Sequence, residues 1–391
     1  MRMVYNNIEF MNQKKLIIGI TAEGSVNLLL GQLAYFKSLG YKTYLLAPYS
    51  ERSAKFCRDE GCEHLIVNIE REISLWKDIK TLWQIFWIFK KVKPDIVNLG
   101  TPKVSLLGMI AAALLRVPIR IYTCRGFRFE HEAGMKRKVL IFMEKITALL
   151  SHKIICISKS VETLGFKNNI FTEIKTIVIN KGSSNGVNLS LFNPNKEIYH
   201  TVQQELKQKF DLNNKIVFGF LGRIVDRKGI NELFDVFCEL YEEDDQVRLL
   251  LVGPFELSQI ADKNLINQIN QHPGIINYGR VKQEEVPGFM LAMDVFVLPA
   301  WWEGFGNVLI QAAAMGVPVI STTGTGTIDA VSDEFNGILV PIKNKIKLKE
   351  AMIKLKEDKE LRNTYGTRGL EWSKNFDREI IWKELHKIYQ S

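Results

Sequence analysis

Two short stretches of this sequence carry residues that could hold a phosphate or a sugar. The first is Trp301-Trp302-Glu303-Gly304-Phe305-Gly306-Asn307, which runs into an apolar helix-length segment and then Gly316-Val317-Pro318-Val319-Ile320. A glycine-rich turn that opens a helix presents unpaired backbone N–H groups and the positive end of the helix dipole, a combination suited to an anion. Glu303, at the mouth of that turn, can accept hydrogen bonds from a sugar. The second stretch is Gly222-Arg223-Ile224-Val225-Asp226-Arg227-Lys228-Gly229, directly after the apolar run KIVFGFL. Arg223 and Lys228 flank a tight turn there. A guanidinium fork and an ammonium point charge together suit a diphosphate. Taken singly, the glycines are equally turn residues and the cations equally a solvated loop.

The elements that must position these residues follow from the hydrophobic pattern. KLIIGI, YKTYLLAP, HLIVNI, DIVNLG and IRIYTC are short apolar runs, separated by longer helical stretches such as VNLLLGQLAYFKSLG, LWKDIKTLWQIFWIFKKV and LLGMIAAALL. Such alternation predicts parallel strands with crossover helices, a doubly wound α/β domain. NKGSSNGVNLSLFNPN breaks the pattern with a run rich in Asn, Gly and Ser. The alternation then restarts: KIVFGFLGR, INELFDVFCELYEE, QVRLLLVG, GIINYG, VPGFMLAM, DVFVLPA, NVLIQAAAMG and VPVIST. With 391 residues, two domains are expected. The first spans 1–186 and the second 187–374, with a C-terminal helix over about 375–391 packing back on the first. In open α/β sheets ligands bind at the carboxyl ends of the strands.

The segments GRIVDRKG, VGP, WEGFGNVLIQAAAMGVPVI and NGILV, in that order, resemble the retaining glycosyltransferases of family four, which have the GT-B fold of two Rossmann-like domains facing a cleft. In the first half GITAEGS, KPDIVNLGTPK, IICISKS and KGSSNGVNLSLFNP extend the resemblance over most of the chain. The sequence is most similar to bacterial enzymes that build capsule, O-antigen or exopolysaccharide units. The resemblance implies a nucleotide-diphosphate sugar donor, a UDP-sugar such as a UDP-N-acetylhexosamine, held mainly by the C-terminal domain. It places Arg223 and Lys228 on the diphosphate and Glu303 on the donor sugar, and these three form the catalytic set. Gly222, Gly304, Phe305, Gly306 and Asn307 complete the donor loops. Val281 lies where main-chain groups cradle the base, and Gly24 where the first β–α turn approaches the diphosphate. The family signature is Glu, seven residues, Glu, whereas this chain has Glu303 and Gln311; Gln311 can accept a ribose hydrogen bond but offers no bidentate carboxylate. Arg125 replaces a histidine found in many members. With Arg128 and Lys103 it makes the acceptor side basic, suited to a lipid-diphosphate-linked saccharide. The alternative for Arg125 is a salt bridge with Glu130 or Glu132. Retaining chemistry of this kind lets the leaving phosphate take the acceptor proton, so the protein supplies placement and charge stabilisation. No cofactor is implied.

Composition narrows the remaining classes. Hydrophobic residues make up 46% and charged residues 24%, which excludes a disordered or collagen-like chain. Five scattered cysteines, at 57, 62, 124, 156 and 238, read as reduced thiols, since Cys57 and Cys62 have no second Cys/His pair for zinc. The acidic run Glu242-Glu243-Asp244-Asp245 reads as a solvated turn, His131 as structural, and no metal is expected. No general base stands out.

The net charge of +9 is uneven. Residues 1–185 hold 28 Lys/Arg against 15 Asp/Glu, and the remainder 24 against 28. A basic half points to an anionic partner. In the segment from Trp76 to Lys93, residues 76, 83, 86, 87 and 90 share a helical face, which either meets an anionic membrane surface or packs on the sheet. The longest apolar run has 12 residues, too short for a span, and MRMVYNNIEFMNQKK lacks the apolar core of a signal peptide. A cytoplasmic protein, peripheral on the inner face of the plasma membrane, is therefore expected. A 2-epimerase on the same fold would need more cleft carboxylates and histidines. A non-catalytic anionic-lipid or nucleic-acid-binding protein would leave the ordered glycine turns unexplained, so no nucleic-acid partner is expected. The turn Gly19-Ile20-Thr21-Ala22-Glu23-Gly24 does not match the dinucleotide fingerprint of a dehydrogenase.

Overall fold

The computed structural model describes residues 13–70 and 74–391; most of the N-terminal segment read for a signal peptide lies outside them. The chain divides into two compact units, Met1–Asn185 with Ile381–Ser391, and Gly186–Ile380.

In the first unit, β1 (Lys15–Gly19), β2 (Lys42–Ala47), β3 (Glu63–Ile66), β4 (Ile96–Leu99), β5 (Ile119–Cys124), β6 (Lys153–Cys156) and β7 (Thr176–Val178) form one parallel sheet ordered β3-β2-β1-β4-β5-β6-β7. The order reverses between β1 and β4, where such sheets open a crevice at their carboxyl ends. Residues alternate between two cores. Ile17, Val97, Leu99 and Tyr122 face one side, with Ile85 and Phe89 of the helix Leu75–Val92, the apolar helix Pro102–Leu114 and Leu140 of the helix Gly134–Leu150. Leu16, Ile18, Leu45 and Ile121 face the other. There the C-terminal helix Arg378–Gln390 inserts Ile381, Trp382, Leu385 and Tyr389. Its anchors are polar as well: Trp382 Nε1 donates to Asn185 Oδ1 at 2.6 Å, and Asn98 Nδ2 to the Tyr389 hydroxyl at 2.7 Å.

Two details differ from the sequence pattern. VNLLLGQLAYFKSLG is not one helix: a 3-10 stretch Glu23–Leu29 is separated from the helix Gln32–Ser38 by Gly31, whose φ of 80° breaks the hydrogen-bond ladder. The aromatic face of Leu75–Val92 does not pack on the sheet, because Thr81, Ile85 and Phe89 occupy that side and Trp76, Trp83 and Trp87 are exposed; Phe86 is partly buried. No helix among the described residues is long and apolar enough to cross a membrane.

The second unit holds β8 (Ile216–Leu221), β9 (Val247–Val252), β10 (Ile275–Gly279), β11 (Val295–Leu298), β12 (Val319–Thr322) and β13 (Gly337–Val340), all parallel, ordered β10-β9-β8-β11-β12-β13. Its order reverses between β8 and β11. Both glycine-bearing stretches, 222–229 and 301–307, leave those two strands at their carboxyl ends.

Candidate functional site

The loop after β8 and the loop after β11 are locked together by main chain. The Trp301 N–H donates to the Arg227 carbonyl at 2.8 Å, and the Glu303 N–H donates to the Thr325 carbonyl of the loop after β12 at 2.9 Å. Gly229 opens the helix Ile230–Glu243 with a φ of 74°, and a Cβ there would lie 2.1 Å from the Pro299 carbonyl oxygen. Only glycine permits both the left-handed turn and that approach. Trp301 Nε1 donates to Glu232 Oε1 at 3.0 Å, and Lys343 Nζ stands 3.6 Å above the Trp301 ring.

These ties fix Glu303 among cations. Its Oε1 lies 2.8 Å from Lys228 Nζ and 3.5 Å from the Arg227 guanidinium, all three side chains being largely buried. Burial pushes the Glu303 carboxyl up, but Lys228, Arg227 and the more distant Arg223 outweigh it and hold the group below the usual carboxylate range. Arg223 is more exposed and its Nη1 donates to Glu256 Oε2 at 2.7 Å. Gly222, with a φ of 143°, lies beneath the Lys228 ammonium.

The helix Asn307–Ala314 starts from Gly306, whose φ is 75° and which has no side chain of its own to cap the first turn. Gly304 leads into it. The Phe305 ring is buried against Phe376, with 5.3 Å between centroids, so the side chain serves the core and only the main chain of Phe305 is left for a donor loop. Gln311, one turn into the helix, is half-buried and its side chain has no hydrogen-bond partner among the described residues. Val281, half-buried, follows β10 on the opposite flank of β8. Arg227, Glu256, Glu232 and the 323–326 loop escape the sequence reading. The signal for Arg227 is only its place beside Lys228, and for the loop its glycines in TTGTGT.

The basic residues of the first unit separate. Arg125, at the end of β5, donates from Nε to Ser184 Oγ at 2.7 Å and from Nη1 to the Gly100 carbonyl at 2.6 Å. A Cβ at Gly100 would fall 1.4 Å from that Nη1, so glycine is needed to seat the guanidinium. Burial lowers the Arg125 pKa to about 10. It makes no salt bridge with Glu130 or Glu132, which overturns that alternative; Glu132 instead pairs with Lys136 at 2.6 Å. Lys103 is not an open basic group. It is buried in the first turn of Pro102–Leu114 and pairs with Asp78 at 2.7 Å. Arg128 is exposed in the 3-10 turn Arg128–His131. Gly24 is exposed at the start of the 3-10 stretch after β1, and a Cβ there would meet nothing within 4 Å. No cluster of three metal-ligating side chains occurs among the described residues.

Residues 202–372 match the family model described as glycosyl transferases group 1, and residues 23–182 that of glycosyltransferase family 4. The chain is 35% identical over 387 residues, 97% of its length and 98% of the relative's, to the capsular polysaccharide biosynthesis glycosyltransferase CapM of Staphylococcus aureus. It is 30% identical over 300 residues, 74% of each chain, to the UDP-Gal:alpha-D-GlcNAc-diphosphoundecaprenol alpha-1,3-galactosyltransferase of Escherichia coli. Among solved structures, Anabaena Alr3699/HepE in complex with UDP superposes with a TM-score of 0.78 at 18% identity, covering 96% of this chain and 99% of that one. That likeness establishes the GT-B fold.

Proposed function

Since the chain belongs to the group 1 glycosyl transferases, we propose that it moves a hexose or N-acetylhexosamine, with retention, from a UDP-sugar to a lipid-diphosphate-linked saccharide in capsular polysaccharide synthesis. It would act in the cytoplasm at the inner face of the plasma membrane, where such an acceptor is held. What supports the class of donor and acceptor is the name of the E. coli relative, which states both.

The observation that carries the reading is the cation cluster around Glu303 at the β8/β11 switch point, beside the start of the helix Asn307–Ala314. Arg223 and Lys228 would take the donor diphosphate, and the N–H groups at the start of Asn307–Ala314 add a positive dipole end. Gln311 would accept from a ribose hydroxyl, main chain at Val281 would meet the base, and Glu303 would accept from the donor sugar. As the bond from the anomeric carbon to the phosphate oxygen breaks, negative charge grows on that oxygen. Fixed cations there favour the transition state over the ground state. The same oxygen then takes the proton of the acceptor hydroxyl as the new glycosidic bond forms on its side of the sugar, which gives retention. Arg125 and Arg128 would supply positive charge for the acceptor diphosphate.

A screen of UDP-, GDP- and ADP-sugars, each with and without an undecaprenyl-diphosphate-linked saccharide, tests this. UDP release from one UDP-sugar, stimulated by the acceptor and giving a product with the donor's anomeric configuration, is expected. Release only of GDP or ADP overturns the donor, and an inverted product overturns the mechanism.

A further inference from the structure

The helix Leu75–Val92 points its aromatic residues away from the protein. At about 100° per residue, Trp76, Trp83 and Trp87 share one ridge with Lys80, Lys90 and Lys91, opposite the buried Thr81, Ile85 and Phe89. Trp76 is 81% exposed, Trp83 58% and Trp87 57%. The helix Gly134–Leu150 repeats the arrangement. Met135, Val139, Phe142 and Leu149 stand on its outer ridge with Lys138 and Lys145, Phe142 being 64% exposed and Leu149 74%. Both helices pack against Pro102–Leu114 in the same layer of the first unit. Large apolar patches of this kind mark interaction sites.

Charge identifies the partner. Each helix contains a single acidic residue, and each is turned inward: Asp78 pairs with Lys103, and Glu144 accepts a hydrogen bond from the buried Tyr122 hydroxyl at 2.7 Å. The outer ridges therefore combine tryptophan, phenylalanine and leucine with lysine alone. Lys90 Nζ lies over the Trp87 ring, 4.6 Å from its centroid. Two copies of this chain meeting through these ridges would bring lysine against lysine. An anionic bilayer offers both an apolar interior for the rings and phosphates for the lysines.

We propose that the outer ridges of Leu75–Val92 and Gly134–Leu150 form a docking surface for an anionic lipid membrane. The proposal does not require the donor assignment, because docking is read without donor or acceptor.

The test is co-sedimentation of the full chain with vesicles of phosphatidylglycerol and phosphatidylcholine in equal parts, or of phosphatidylcholine alone. Strong pelleting on the anionic vesicles at low salt, fading as salt rises, is expected, with weak pelleting on the neutral ones. Replacing Lys80, Lys90 and Lys91 by Gln should weaken anionic binding on the order of a hundredfold, about fivefold for each lysine brought to the surface. Trp83→Ala and Phe142→Ala should each weaken it about tenfold or more, from the apolar side chain lost, with urea midpoints unchanged because both rings face solvent. Undiminished pelleting of these variants, or none of the native chain at low salt, overturns the proposal. So does a concentration-dependent dimer in analytical ultracentrifugation that Trp83→Ala disperses, which would assign the ridge to a second copy.

Discussion

The two tasks proposed for Lys228 can be separated by one set of variants. Its ammonium lies 2.8 Å from Glu303, and both groups are largely buried. Removing one member of a buried pair typically costs about 3–5 kcal/mol, because the other charge stays behind. Here Arg227 remains 3.5 Å from the same carboxylate, so Lys228→Met should destabilise by the lower end, about 3 kcal/mol. The sign with pH follows from the lowered Glu303 pKa. The pair's contribution is present above the ordinary carboxylate range and is lost as pH falls through it, so the variant's deficit should be largest at neutral pH and shrink under acid. The second proposed task is to hold the donor diphosphate. A lost charge-assisted contact is worth about 1.5–3 kcal/mol, or roughly ten- to hundredfold in affinity. Urea unfolding and calorimetric titration with UDP, on Lys228→Met, Glu303→Gln and the double variant, separate the two. The double variant should recover most of the stability and none of the UDP affinity. If UDP affinity returns with stability, or if Lys228→Met binds UDP as the native chain does, Lys228 serves only to neutralise Glu303.

Four further outcomes are expected. Arg223→Ala should lower UDP affinity tenfold or more with little change in the unfolding midpoint, since Arg223 is exposed and its ion pair with Glu256 lies at the surface. Gln311→Glu should keep or tighten UDP binding and Gln311→Leu weaken it; equal affinities by calorimetry would remove the ribose from this position. Burial raises the Glu144 carboxyl to about 7, so the folded state holds its proton more tightly than the unfolded chain, and stability should fall as pH rises from the ordinary carboxylate range to about 7. Glu144→Gln should flatten that part of the urea-midpoint profile relative to the native chain. Arg125→Lys loses a two-directional fork, so KM for a lipid-diphosphate acceptor should rise while UDP affinity stays unchanged.

Strands β1 to β5 and β8 to β12 are legible because each is a short apolar run bounded by polar turns, as buried parallel strands must be, whereas β6, β7 and β13 are absent as strands from the sequence reading. The helix in GMKRKVLIFMEKITALL is less legible because its apolar residues serve two faces: Leu140 and Ala148 pack inward while Met135, Phe142 and Leu149 point out. The two donor stretches were legible as glycine punctuation beside charge, and strand order then places both at one switch point. What the spacing could not show is pairing across long separations. Nothing local links Arg227 with Trp301, or Thr325 with Glu303, because those contacts exist only once β8, β11 and β12 lie side by side. The same blindness explains Lys103 and Arg125. Both read as basic residues near strand ends, yet one is neutralised by Asp78 and the other held by a carbonyl and a hydroxyl.

That last distinction decides which cations can serve an anionic ligand. A lysine matched to a buried carboxylate gains little by exchanging it for a phosphate, since the pair is already formed in a region of low dielectric. Lys103 is in that state. Arg125 is not: its partners are neutral, so its charge is uncompensated by any carboxylate among the described residues and still attracts an anion. Glu303 lies between these cases. Two cations, Lys228 and Arg227, share a single carboxylate, which leaves the cluster with a net positive charge before any ligand arrives. A diphosphate can therefore add to the cluster without displacing Glu303, whose second oxygen stays available to accept from a sugar hydroxyl. In the proposed roles the Glu303 carboxylate holds the lysine in position and shares it when the ligand comes, so Glu303→Gln should loosen Lys228 as well as remove the proposed sugar contact.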